Sequence, residues 1–170
     1  TTIDGNEALE RGGGIKVDWS SIRLTDCVLK DNKAAGLGAG LEIVETNAVL
    51  TNTSVLKNHV KFQIGCQGGG IYSTSSALST YGGQIERNSE CGGIKCYLSD
   101  CNFTSTRIRF NSVGYIGGAF TIQESSLHLY DTLVENNTAS IAGGGIFGYS
   151  ANSAQSTSIK IYSSTIRYNK

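Results

Sequence analysis

Two histidines, five cysteines and fourteen acidic side chains are the groups in this chain able to move protons, hold a metal or attack a substrate. Their spacing assembles none of these chemistries. His59 follows Asn58 in a turn-like stretch, and His128 stands between Leu127 and Leu129, where alternation sends it to solvent. Neither has a carboxylate at a fixed offset to orient it as a base, so both read as surface histidines. Asp18 and Glu42, with Glu45 nearby, are the one acidic grouping that repeats in neighbouring segments. Asp18 and Glu42 occupy different phases of the alternation, which reads as a solvated strand face. Arg107 and Arg109 flank Ile108 and have the charge to meet an anionic sugar, but two outward arginines on one strand read first as solubilising. The expectation is no catalytic residue, no metal, no cofactor and no enzyme activity.

The elements that must carry these side chains come from an internal repeat. Gly clusters close on an apolar residue at Ile15, Leu41, Ile71, Ile94, Phe120 and Ile146, in steps of 26, 30, 23, 26 and 26 residues. A second marker, an apolar residue followed three positions later by Asn, recurs as Ile3/Asn6, Leu29/Asn32, Val55/Asn58, Ile85/Asn88, Ile108/Asn111, Val134/Asn137 and Ile166/Asn169. After each Gly cluster the apolar pattern has period 2: Ile15/Val17, Leu41/Ile43 and Phe120/Ile122 point one way, with Lys16, Glu42 and Thr121 between them. A second alternating stretch follows, as Ile22/Leu24 and Leu127/Leu129. The third is the short segment ending in the repeated Asn. Such alternation specifies strands with one buried face. Three short strands and three turns in about 26 residues make one coil of a parallel β-helix, and residues 1–170 form one all-β solenoid segment of six to seven coils.

The two markers have physical reasons. Gly turns a corner at positive φ and leaves room for close packing of coils. Asn tolerates the left-handed region and bonds to nearby backbone. Repeated at one corner, the amides of Asn32, Asn58, Asn88, Asn111 and Asn137 are expected to bond to one another up the stack as a ladder.

The pairing of GGAF at 117–120 with IRFN at 108–111, and of VENN at 134–137 with GGGI at 143–146, resembles the repeats of chlamydial polymorphic outer-membrane proteins. More broadly it resembles pectin-lyase-like right-handed β-helices. The resemblance implies the right-handed parallel β-helix and says little of function, because that coil serves adhesins, passenger domains and polysaccharide lyases alike. The Asp clusters and Arg base of the lyases, and the paired Asp, Gly-His-Gly and Arg-x-Lys motifs of the hydrolases, have no counterpart here. Nor does the membrane barrel of the chlamydial proteins.

Equal numbers of basic and acidic residues, 14 each, argue against nucleic acid or an anionic membrane as partner. No apolar run approaches the roughly 18 residues of a membrane span. Three Asn-x-Ser/Thr sequons, at Asn52, Asn102 and Asn136, point to a secreted or cell-surface glycoprotein. Asn52 is expected in the turn after the second strand, Asn102 at the start of an insertion spanning Cys101–Ile108, and Asn136 outward beside the inward Asn137. Cysteines fit the same compartment: Cys66 with Cys91 across adjacent coils, Cys96 with Cys101 within one coil as a pair or as two small buried residues, and Cys27 left over, free or paired to another chain. Outward positions of the first strand include Tyr72, Tyr97, Phe147 and Tyr149, a partial aromatic stripe for glycan or protein contact.

The reading is therefore an extracellular structural or adhesive scaffold, a piece of a longer solenoid or of an end-to-end assembly. Its expected partners are other copies or segments of the solenoid, glycans or surface proteins. The alternative is a carbohydrate-active or carbohydrate-binding β-helix domain.

Overall fold

A computed structural model describes residues 1–61, 68–151 and 154–170. It is an all-β right-handed parallel solenoid, and among the described residues there is no helix. Right-handed winding is what a twisted strand imposes on a parallel crossover.

Each coil lays one strand on each of three sheets. The first sheet stacks Ile15–Asp18, Leu41–Val44, Ile71–Thr74, Ile94–Tyr97, Phe120–Gln123 and Ile146–Tyr149. The second stacks Ser21–Thr25, Asn47–Thr51, Ala77–Tyr81, Asp100–Thr104, Ser126–Tyr130 and Ser158–Tyr162. The third stacks Thr2–Asp4, Val28–Lys30, Ser54–Leu56, Gln84–Glu86, Arg107–Arg109, Leu133–Glu135 and Thr165–Arg167. Every pair is parallel and in register, so that Leu41 faces both Ile15 and Ile71 while Ile108 faces both Ile85 and Val134. The structure adds a short fourth ladder beyond the three anticipated, made of two-residue strands such as Lys33–Ala34 and His59–Val60.

The alternation of the sequence becomes one continuous core. Leu29, Leu41, Ile43, Val55, Ile71, Leu78, Ile85, Ile94, Ile108, Phe120, Ile122 and Leu127 are all fully buried. Among the described residues Phe103 packs against Phe120 inside it, edge to face at 5.0 Å. At roughly 25 cal/mol per Å² of apolar surface removed from water, such a column is the main stabilising term. Two inward hydroxyls interrupt it. Ser73 bonds Ser99 at 3.1 Å and Thr80 bonds Thr106 at 2.9 Å, so neither is buried unsatisfied.

All three corners are built alike: a residue at positive φ followed by an inward polar residue. Asn6, Asn32, Asn58, Asn88, Asn111, Asn137 and Asn169 line the third corner, each Nδ2 donating to the Oδ1 of the next at 2.9–3.0 Å. The same Oδ1 accepts the preceding Asn backbone N–H at 2.9–3.1 Å. At the first corner hydroxyls do this work: Thr46 N–H donates to Ser76 Oγ, Ser76 N–H to Ser99 Oγ and Ser99 N–H to Ser125 Oγ. At the second corner the same place holds Thr53, Thr106, Thr132 and Ser164. Cys27 sits there too, buried, with its thiol donating to Thr25 O as Thr53 donates to Thr51 O. Cys27 makes no disulfide within the chain and stands in a hydroxyl ladder.

The positive-φ residue is the one before the ladder residue, and its side chain is rarely Gly or Asn. Trp19, Asp26, Lys57, Leu98, Phe110 and Tyr168 all take it. The left-handed conformation costs such residues about 1–2 kcal/mol each. Parallel backbone bonds across the corners help offset it, for example Leu98 N–H to Gln123 O at 3.2 Å. Gly has a different use. Gly38, at φ +51, lies so close over its own coil that a Cβ there would stand 2.7 Å from Leu41 O and 3.0 Å from Glu42 Cβ.

Candidate functional site: the covered face of the first sheet

Outward side chains of the first sheet form two rows. One row holds Lys16, Glu42, Tyr72, Lys95, Thr121 and Phe147, and the other Asp18, Val44, Thr74, Tyr97, Gln123 and Tyr149. Alternation directs both rows away from the core, yet the first is largely covered. Glu42 is 0 % exposed, and Tyr72, Lys95 and Thr121 are each under a tenth exposed. At Glu42 and Thr121 the cover is the connection between the ladder Asn and the Gly cluster. It returns across this face, bringing Gly38 over Glu42 and the carbonyl of Ile116 to the Thr121 hydroxyl at 3.1 Å. Glu42 is therefore not part of a solvated face, a correction to the alternation reading.

Glu42 is the anomaly of the site. Among the described residues neither carboxylate oxygen has a hydrogen-bond partner, and the nearest cation is Arg11 at 3.8 Å. Burial raises its carboxyl above the ordinary carboxylate range, against the opposing pull of Lys16 and Arg11, with Asp18 adding to the rise. Burial likewise pushes the Lys95 ammonium down. Its Nζ stands 5.9 Å from the centre of the Tyr149 ring, within cation–π range. Burial also raises the Tyr72 and Tyr149 phenols, Glu42 adding to the first and Glu124 to the second. Perturbed groups of this kind cluster at functional sites. Here, however, Tyr72 lies between Glu42 and Lys95, which places them two strand spacings apart, roughly 9.6 Å.

The aromatic residues do not make one stripe. Tyr72 and Phe147 belong to the first row and Tyr97 and Tyr149 to the second, and Tyr72 is buried. What remains accessible is a smaller patch: Phe147 tilted against Tyr149 at 5.5 Å, Tyr149 Oη donating to Gln123 Oε1 at 2.5 Å, and Tyr97 alongside.

Other residues singled out by sequence are dispersed. Asn52 is exposed at a second-corner turn, with φ 46. Asn102 lies within the regular strand Asp100–Thr104, not in an insertion, because the extra length assigned to 101–108 is ordinary strand and corner. Its Oδ1 is 3.0 Å from His128 Nδ1. Asn136 takes a third-corner position with φ 54. Cys96 and Cys101 are joined by a disulfide across the first corner, between two inward core positions. Cys66, and with it the proposed Cys66–Cys91 pair, lies outside the described residues. His59 Nδ1 stands 3.0 Å from Ser89 Oγ.

On the third sheet an outward row unread in the sequence pairs its charges along the axis. Lys30 meets Asp4 at 2.9 Å, Arg109 meets Glu86, and Arg167 meets Glu135 at 2.9 Å. Arg109 is thus committed to Glu86 and to the Phe110 ring, 5.7 Å from its guanidinium. Alignment of the coils would have exposed this row, since Asp4, Lys30, Glu86, Arg109, Glu135 and Arg167 share one offset from the ladder Asn.

Among the described residues no group of three or more His, Cys, Asp or Glu is placed to hold a metal ion. No family model, curated protein or solved structure matches the chain.

Proposed function

We propose that the chain is a non-catalytic extracellular scaffold, a stiff segment that holds surface features at fixed spacing for other segments or copies of the solenoid, for glycans or for surface proteins. The observation that carries this reading is the unbroken interior. The Asn ladder passes without a gap through coils spaced 26, 26, 30, 23, 26 and 32 residues apart. Coils of unequal length thus share one continuous ladder, as a structural element requires. Charges on the third sheet satisfy one another instead of converging on a centre.

The buried Cys96–Cys101 disulfide supports an oxidising compartment, and the three sequons extend that to a secreted or cell-surface glycoprotein. The pectin-lyase-like resemblance belongs to the same reading, as a shared coil architecture and not as a shared active site.

A second reading has its own observation, the patch of Phe147, Tyr149 and Tyr97 beside Lys95, which suits a sugar face. Incubation with a panel of acidic and neutral polysaccharides separates the two. The scaffold reading expects no turnover, and release of any product would overturn it. Retention without turnover, lost on Tyr149→Ala, would establish the binding module in its place.

A further inference from the structure

We propose that Asn136 carries an N-linked glycan whose first sugar is seated between the side chains of Phe110 and Tyr168. The proposal rests on the secreted reading above and goes beyond it, in choosing one sequon and giving its glycan a structural seat.

Third-corner residues at positive φ stack one per coil: Arg87, Phe110, Asn136 and Tyr168 follow one another along the axis. Their register is held by backbone bonds, Phe110 N–H to Glu135 O at 3.4 Å and Asn136 N–H to Arg167 O at 3.3 Å. In the Asn136-Asn137-Thr138 sequon the middle residue is locked in the ladder and fully buried, and Thr138 is exposed. Asn136 thus projects from the corner, and Asn is the residue after Gly that accepts its left-handed backbone most readily.

Its two neighbours on this corner are the exposed aromatics of the third sheet's edge, Phe110 at 42 % and Tyr168 at 71 %. Both are oriented by cations: Arg87 and Arg109 lie 5.4 and 5.7 Å from the Phe110 ring centre, and Arg167 lies 5.3 Å from that of Tyr168. Both rings nonetheless leave much of their area open to solvent. Two strand spacings separate them, roughly 9.6 Å. A saturated sugar ring in van der Waals contact on both faces needs about 7–8 Å between the flanking planes. The backbone spacing admits one ring between the two side chains, and Asn136 occupies the coil between them.

The other sequons lack this setting. Asn52 stacks between Asp26 and Gly82 at the second corner, and Asn102 lies between Ser79 and His128, bonded to the latter. Only Asn136 has an aromatic residue in the coil on each side.

The test uses the whole chain secreted from a glycosylating eukaryotic host, with glycopeptide mapping and thermal melts. Asn136 is expected to be occupied. In a double-mutant cycle of Phe110→Ala with Thr138→Ala, which abolishes the sequon and leaves Asn136, the melting shifts are expected to be non-additive by about 2 °C or more. Tyr168→Ala replaces Phe110→Ala in a second cycle, so one poorly folding variant does not decide the matter. The same cycles in unglycosylated bacterial protein are expected to be additive. Additive shifts in the glycosylated protein overturn the seat. Occupancy at Asn52 with none at Asn136 overturns the site while the secreted reading stands, and a secreted chain with no glycan at any sequon defeats both.

Discussion

Replacing Asn111 with Leu isolates the ladder at its centre. Asn111 Oδ1 accepts two bonds from the coil before, from Asn88 N–H at 3.0 Å and Asn88 Nδ2 at 2.9 Å. Its own Nδ2 reaches Ile85 O at 2.9 Å and Asn137 Oδ1 at 3.0 Å. Leucine has similar volume and none of these groups. It orphans the Asn88 backbone N–H and one Asn88 amide hydrogen, both on a residue with 0 % exposure. An unsatisfied buried group costs about 1–3 kcal/mol, so two cost about 2–6 kcal/mol. For a chain of this length each kcal/mol lowers the melting temperature by about 2–4 °C, giving a loss near 10 °C. Far-UV circular dichroism melts and urea midpoints measure it. Asn6→Leu is the internal control, because Asn6 is exposed and lies at the end of the ladder, so its loss is expected to be under about 1 kcal/mol. A shift below 2 °C at Asn111, or equal shifts at both positions, refutes the claim that the amide chain and not corner geometry holds the coils in register.

Glu42→Gln is expected to stabilise the protein at alkaline pH. The folded carboxyl has its pKa raised above the unfolded one, so wild-type stability is fullest below the unfolded value and is lost as pH rises through the folded value. The variant lacks that loss and is expected to melt higher at pH 8, while the difference shrinks near pH 3; a lower melting temperature at pH 8 would sink the account. Gly38→Ala places a Cβ in the left-handed region against Leu41 O and Glu42 and is expected to cost about 2–4 kcal/mol in urea unfolding. Gly93→Ala, at the place where the next coil already carries Ala119, is expected to cost clearly less, and a reversed order refutes the distinct roles of the two glycines. Unfolding in the presence of reductant removes the Cys96–Cys101 link, which closes a loop of five-residue separation and is worth about 2 kcal/mol in the chain-entropy view; midpoints unaffected by reductant would show that the link is not formed in the folded protein.

The repeat and its phase were legible because a solenoid writes the same local instruction at every turn: alternation marks the core, and Asn and Gly mark the third corner. Gly and Asn are also coupled in space. A Cβ on Gly40 would meet Gly70 O at 2.7 Å and Asn58 Nδ2 at 2.9 Å, so a small residue, Gly or as at Ala119 an Ala, leaves room for the amide ladder. That is why the two markers keep phase. The hydroxyl ladders were present in the sequence as Thr46, Ser76, Ser99 and Ser125, but Ser and Thr are common enough that only alignment on the coil makes them a signal. Residues such as Trp19 and Phe110 at left-handed corners carry no signal at all, since the stacked backbone dictates that conformation whatever the side chain. Burial of Glu42 and Lys95 was illegible for another reason. Alternation tells which way a side chain points from its own strand and nothing about what folds back over it.

This last point bears on where the solenoid is free to change. The steps of 30 and 23 residues differ from 26 within one connection, the stretch from ladder Asn to Gly cluster, and the 32-residue step differs at the first corner between Tyr149 and Ser158. Length varies there because the stack demands that sheet register and ladder continue, and both do so across these unequal steps. At Glu42 and Thr121 the connection is also the cover of the first sheet. A change in its described part that spares Ala34, Ala39, Val60 and Cys91, a small buried cluster of its own, alters the burial of Glu42 and Lys95 while leaving the main core untouched. Lys95 shows the consequence most directly. Burial alone lowers the pKa of its ammonium, so a connection that opened to water would restore an ordinary lysine, detectable as an upward shift in the pH midpoint of its amine acylation.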